Sequence, residues 1–196
     1  MSRAASVERT TKETSIGIRL DLDGEGQVDV GTGLPFFDHM LSQLGKHAGF
    51  DLVLQARGDL DVDAHHTVED TGIVLGDCLR GALGDKAGVR RFASMAVPLD
   101  EALVEVALDL SGRPFLFYDV DPGSETLGSP AFDPQLAEEF WRAFATTAAL
   151  TLHVHQRSGK NPHHILEASF KGVARCLRDA VRVDGIDVPS TKGLLS

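Results

Sequence analysis

The sequence predicts an α+β fold: two copies of one strand-and-helix unit, a mostly antiparallel sheet, and helices packed on one face of it. Three observations carry this. Laying HHTVEDTGIVLGDCLRGA (65–82) over HHILEASFKGVARCLRDA (163–180) gives seven identities in eighteen, at an offset of 98 residues. What precedes each copy matches in kind, a helical stretch running into an alternating strand. The 196 residues are 42% hydrophobic, enough for a sizeable core, and no linker or low-complexity tract divides them. The chain is therefore read as one domain, 1–196, built from repeats at approximately 7–93 and 94–190. The halves are expected to share one sheet and one core.

Taken in order, Ile16, Ile18 and Leu20 alternate with polar or small residues and predict a strand at 15–21, followed by another at 26–31. Leu34–His47 predicts a helix leading into DLVLQARGD, whose alternation gives a strand at 51–57. From about the second His of the first doublet, Val68, Leu75, Leu79 and Leu83 keep helical spacing. Strands are expected at 96–110 and 114–120, then a Gly-, Pro- and Ser-rich loop at 121–133. Pro134–Ala149 predicts a helix and 150–157 a strand. Pro162 suits entry to a last helix, along which Leu166, Phe170, Val173, Leu177 and Val181 are periodic. Cys78 and Cys176 fall on the apolar faces of the two doublet helices and read as packing residues.

Composition excludes several classes. A net charge of -10 argues against a general nucleic-acid binder, though not against a small basic pocket. Two cysteines outside any CxxC argue against a disulfide framework. No apolar run approaches the ~18 residues of a membrane helix, and MSRAASVERTTKETS lacks the apolar segment of a signal peptide. A soluble, cytoplasmic protein with no nucleic-acid or membrane partner is expected.

The histidines are the unusual feature. Eight in this length give about 0.3 adjacent pairs by chance, yet there are two doublets, His65-His66 and His163-His164, each within HHxxE. On a helix, residues i and i+4 share a face, so His65 with Glu69, and His163 with Glu167, can each grip one cation. The neighbouring His points about 100° away and can serve a different metal. Imidazole with carboxylate and no thiolate suits Mn, Fe, Co, Ni or Zn. A His-rich helix start is the bland alternative, but two copies in register within a repeat favour metal. His39, in PFFDHM, lies 26 residues before His65, and Glu139 lies 24 before His163, so the repeat nominates them as matching donors. His153 and His155 share the polar face of a strand with Thr151, a setting that favours solvated side chains over ligands. His47 closes a helix and reads as a capping or solvated residue.

RTTKET, PFFDHM, HHTVED, DLSGRP, NPHHILEASFK and PSTKG, in this order over residues 9–193, closely resemble the imidazoleglycerol-phosphate dehydratase family of histidine biosynthesis. The resemblance implies a fold of two repeated βαβ-type half-domains, of the ribosomal protein S5 domain 2-like class, assembled as a homo-oligomeric 24-mer with active sites between subunits. It implies two Mn(2+) ions per active site. By matching motifs, His39, His65, His66, Glu69, His163, His164 and Glu167 carry over as metal ligands. Many members have His where this chain has Glu139; a carboxylate can replace imidazole at such a metal, and Glu139 stays in the ligand set.

The resemblance further implies removal of water from imidazoleglycerol phosphate to give imidazole acetol phosphate, with metal holding and acidifying the imidazole ring. Arg91, Arg113, Lys171 and Lys192 match phosphate-binding positions, with Gln43 and Ser190 as neutral donors. Lys171 follows His163 by two helical turns. Glu13, in RTTKET, matches a carboxylate near the substrate hydroxyls and is the candidate acid/base group. Two rivals use similar ligands: a dinuclear metallohydrolase, which would release phosphate or acid, and a metal-storage protein, which would turn over nothing.

Overall fold

The computed structural model describes residues 3–195. Each half runs hairpin, crossover, helix. The first contains β1 (Ala4–Thr10), β2 (Thr14–Asp21), β3 (Val28–Gly31), α1 (Pro35–Ala48), β4 (Asp51–Gly58) and α2 (His65–Leu83). The second contains β5 (Phe92–Leu99), β6 (Ala102–Asp109), β7 (Phe115–Asp119), α3 (Leu136–Thr147), β8 (Thr151–Ser158) and α4 (Pro162–Ala180). The sheets have matching orders, β1-β2-β4-β3 and β5-β6-β8-β7. Within each, two pairs are antiparallel and one, β3/β4 or β7/β8, is parallel across a helix.

The expected α+β class and two half-domains are present, but the single shared sheet is not. Each half covers only one face of its own four strands with helices, and those helices carry a second apolar side. That side is buried helix against helix, α1 on α4 and α2 on α3. The two sheets are thereby forced to the outside, with four helices between them. One continuous core spans both halves, including Phe37, Phe132, Phe140, Trp141, Phe144 and Phe170, so the shared core is as expected. Among the described residues, no helix is long and apolar enough to cross a membrane.

Two further expectations change. The strand read at 96–110 is a hairpin, β5 and β6, turned at Asp100 with φ 49°, a left-handed conformation that Asp tolerates better than most residues. The two-residue turn Asp100-Glu101 carries no Gly or Asn signal, which hid it, and Pro98 is accommodated because β5 is an edge strand. β1 was not anticipated, because as the other edge it contributes only the partly buried Ala5 and Val7 to the core.

Local chemistry sets the helix starts. Pro35 and Pro162 occupy first-turn positions of α1 and α4, where a missing N–H costs nothing. Asn161 caps α4, its side chain accepting the backbone N–H groups of His163 and His164. The cap thus fixes the entry of the helix that carries the second doublet.

Candidate functional site

His39 on α1 meets His163 and Glu167 on α4, across the packed pair of helices that joins the two halves. Glu167 Oε2 lies 2.9 Å from His163 Nε2 and 3.4 Å from His39 Nε2. The three donor atoms all lie within 4.8 Å of one another. His163 and Glu167 share a face because they are one helical turn apart, and His39 closes the set from the facing helix. Two imidazole nitrogens and a carboxylate oxygen suit a borderline divalent cation, and the donor set fits manganese. The cysteines are not candidates: burial raises the Cys78 thiol to about 11 and the Cys176 thiol to about 12.

Electrostatics keep Glu167 ionised. Burial disfavours its charge, but Lys171 Nζ, 2.6 Å from Oε1, and the two histidines outweigh that, leaving the carboxyl below its ordinary range. Lys171 is thus one turn beyond Glu167, on the same α4 face. Gln43 and His47 continue the facing α1 stripe. Gln43 Oε1 accepts from His47 Nε2 at 3.0 Å, leaving the Gln43 amide N–H groups to donate elsewhere. Burial, with Lys171 and Arg175 nearby, lowers the His47 pKa, so His47 is held neutral rather than acting as a helix-end cation.

The first doublet sits at the start of α2. His65 Nε2 lies 3.8 Å from Glu69 Oε2, at i,i+4 as the spacing predicts. His65 lines a cleft of about 340 Å³ with Ala64, Gln135 and Leu136, so the starts of α2 and α3 adjoin. Glu139 is in the first turn of α3. Strand β8 begins 100 residues after β4, and at that offset Glu139 is the counterpart of His39. The fold therefore repeats His39/His163/Glu167 as Glu139/His65/Glu69, on α3 and α2. Only the first set is drawn together among the described residues. The Glu139 carboxylate faces Arg142 Nε at 3.8 Å, and Arg142 also pairs with Glu138.

The second His of each doublet points elsewhere. His66 Nδ1 contacts Asp59, and His164 Nδ1 contacts Glu101. Those bonds raise both histidine pKa values, and the bond to His164 is the first cause holding Glu101 down at about 2. Glu13, on the β1–β2 turn, also acts on His66 through its charge. Asp59 and Glu101 were missed from sequence. Glu101 becomes visible only once β5–β6 is recognised as a hairpin, because it occupies the tip.

Four of the expected phosphate-binding residues come together. Arg91, Arg113, Ser190 and Lys192 line an open groove of about 840 Å³ with Ser111. Arg91, in a left-handed conformation at φ 77°, is anchored by Asp109 at 2.7 and 3.0 Å and by the Pro189 carbonyl at 2.8 Å. Its contact with Pro189 ties the C-terminal PSTKG segment onto the second sheet. Lys171 and Gln43 are on the α1–α4 face instead. His153 and His155 lie outside the His39, His163 and Glu167 group, on β8 against Phe117 of β7, with His155 Nδ1 3.3 Å from Asp119.

Residues 32–177 match the sequence profile of the family described as imidazoleglycerol-phosphate dehydratase. An imidazoleglycerol-phosphate dehydratase from Acidothermus cellulolyticus is 57% identical over 98% of this chain and 93% of its own length. One from Acidiphilium cryptum is 54% identical over the full length of both. Among solved structures, imidazoleglycerol-phosphate dehydratase from Staphylococcus aureus matches with a TM-score of 0.82 and 36% identity, over 92% of this chain and 99% of that one. IGPD from Pyrococcus furiosus matches with a TM-score of 0.83 and 37% identity, over 96% of this chain and 100% of that one.

Proposed function

The chain belongs to the imidazoleglycerol-phosphate dehydratase family and is an enzyme of histidine biosynthesis with that activity; we propose that it works through a dinuclear manganese centre. The observation that carries the metal reading is the convergence of His39 Nε2, His163 Nε2 and Glu167 Oε2. The counterpart residues Glu139, His65 and Glu69, with His66 and His164, complete the proposed ligand set. Two sets related by the internal repeat support two ions per site.

When bound, the metal supplies Lewis acidity to the imidazole ring of the substrate. The protein's own residues do the rest. The hydroxyl leaves the carbon attached to the ring, and a proton leaves the neighbouring carbon. The resulting enol tautomerises to the ketone of imidazole acetol phosphate. Glu13 is exposed at the β1–β2 turn and is the proposed acid/base group at the glycerol hydroxyls. Arg91, Arg113, Ser190 and Lys192 hold the phosphate in their groove, with Lys171 and Gln43 donating from the helix face.

Partition of the site residues over separate faces of one chain supports an assembly in which neighbouring subunits complete each site, as a 24-mer. The enzyme is taken as cytoplasmic, with its two buried thiols reduced. The test is metal analysis joined to a turnover assay on imidazoleglycerol phosphate, before and after chelation. Loss of keto product with metal, and recovery on adding manganese, is expected. Full activity after proven metal removal overturns the metal reading, and phosphate release in place of keto product would favour a hydrolase.

A further inference from the structure

The second histidine of each doublet is tied down by a carboxylate on the same ring atom. His66 Nδ1 is 3.1 and 3.2 Å from the two carboxylate oxygens of Asp59. His164 Nδ1 is 2.8 Å from Glu101 Oε2. An imidazole that donates Nδ1–H to a carboxylate has its proton placed there, its ring plane fixed, and its Nε2 lone pair facing the other way. Asp100 Oδ2 is 3.7 Å from His164 Nε2, outside hydrogen-bond reach, so among the described residues no hydrogen bond claims that nitrogen.

The two carboxylates reach the same role from different places in the repeat. Asp59 is in the turn after β4, seven residues before His66, whereas Glu101 is at the β5–β6 tip, 63 residues before His164. The repeat counterpart of Glu101 is Glu13: Glu101 immediately precedes β6 as Glu13 immediately precedes β2. Among the described residues, the Glu13 carboxylate makes no hydrogen bond or ion pair; only its backbone N–H is engaged, by Thr11 Oγ1 at 3.1 Å. The duplicated hairpin carboxylate is therefore bound to histidine in one half and unengaged in the other.

We propose that Asp59 and Glu101 are positioning residues of the metal centre, holding His66 and His164 as Nδ1–H tautomers with Nε2 presented to metal. By taking the His66 bond, Asp59 also leaves Glu13 free to face the substrate. This inference rests on the metal reading above. Asp59 is the cleaner probe, since Glu101 Oε1 also accepts the backbone N–H groups of Lys160 and Asn161 and so anchors the loop before α4.

The first experiment needs no variant. Solid-state 15N spectra of the full-length, His-labelled, chelator-treated protein, at alkaline pH where the rings are neutral, read each tautomer directly. Two rings protonated on Nδ1, reassigned by His66→Gln and His164→Gln, are expected; Nε2–H at both overturns the proposal. In Asp59→Ala the His66 ring should revert to Nε2–H while His164 is unchanged. Manganese affinity, read by chelator competition, should weaken about 10–100-fold for one ion. Asp59→Asn keeps an acceptor oxygen and should restore most of the tautomer and affinity. Wild-type binding of manganese with Asp59→Ala binding equally would sink this inference alone. A wild type that binds no manganese would sink the metal reading and this inference together.

Discussion

Lys171 Nζ sits 2.6 Å from Oε1 of Glu167, while the other oxygen of that carboxylate faces His39 and His163. One carboxylate thus joins a cation expected to serve the phosphate to the residues expected to hold metal. Lys171→Met removes a competing positive charge from Glu167 and a donor from the substrate. Metal content at saturating manganese should stay normal or tighten. A lost charge-assisted hydrogen bond is worth ~1.5–3 kcal/mol, so kcat/KM should fall about ten- to a hundredfold. Metal analysis beside steady-state kinetics decides; loss of metal with unchanged KM would contradict this division of roles.

The closeness of His163 and Glu167 was legible because their i,i+4 spacing is local. The partner of His39 was not: the repeat set it beside the doublet that follows it in the chain, whereas the helix packing brings it to His163 and Glu167 of the other half. The single sheet was not legible, because periodicity marks which face of an element is apolar and not which other face it meets. The same limit hid Asp59 and Glu101. Their role depends on where a turn and a hairpin tip arrive in space, and Glu101 lies 63 residues from its histidine. Arg91 and Lys192 were legible only through motif resemblance, since nothing local to either residue announces a shared groove.

Glu13→Gln keeps the size of the side chain and removes its proton-transfer capacity. General acid–base groups contribute roughly 10²–10⁴-fold, and turnover should fall within that range while metal content stays normal. Among the described residues the Glu13 carboxylate makes no hydrogen bond or ion pair, so this substitution is structurally mild. An unchanged kcat would remove Glu13 from the chemistry.

Glu139 is paired with Arg142 in the structure, yet the repeat sets it opposite His65 and Glu69 as His39 is set opposite His163 and Glu167. If it is a ligand, Arg142 must release it when metal enters. An exposed pair of this kind is worth only about 0–1 kcal/mol, so metal wins that competition easily. Glu139→Ala should lower saturated manganese towards one ion per chain, whereas Glu139→His should retain two. Two ions in Glu139→Ala, measured by elemental analysis, would exclude Glu139 from the centre.

Gly76 lies at a close approach of α2 to α3. A Cβ there would lie 2.1 Å from Thr147 Oγ1, 2.6 Å from the Phe144 carbonyl oxygen and 2.9 Å from the Ala148 nitrogen. Alanine's better helix propensity offers about 1 kcal/mol, but two of these obstacles are backbone atoms that cannot swing aside. Overpacking at ~1–3 kcal/mol should win. Each kcal/mol lowers Tm by roughly 2–4 °C in a domain of this size, so calorimetry of Gly76→Ala should show a loss of several degrees. A higher Tm would mean that the helices separate at little cost.

Asp51 fastens the β2–β3 loop to the start of β4, its Oδ1 accepting the backbone N–H groups of Glu25 and Gln27 at 2.8 Å each. The bonds from Gln27 and Glu25 favour the carboxylate and lower its pKa below the ordinary value. A group with a depressed folded pKa binds protons more weakly in the native state than in the unfolded chain. Its contribution is complete above the unfolded value of about 3.9 and is lost as pH falls through the lower folded value. Asp51→Asn should therefore have a lower denaturation midpoint than wild type at about pH 7, and the gap should close in acid below roughly pH 4. Denaturant titrations at both pH values test the sign, and a gap that persists undiminished in acid would assign the effect to geometry instead of charge.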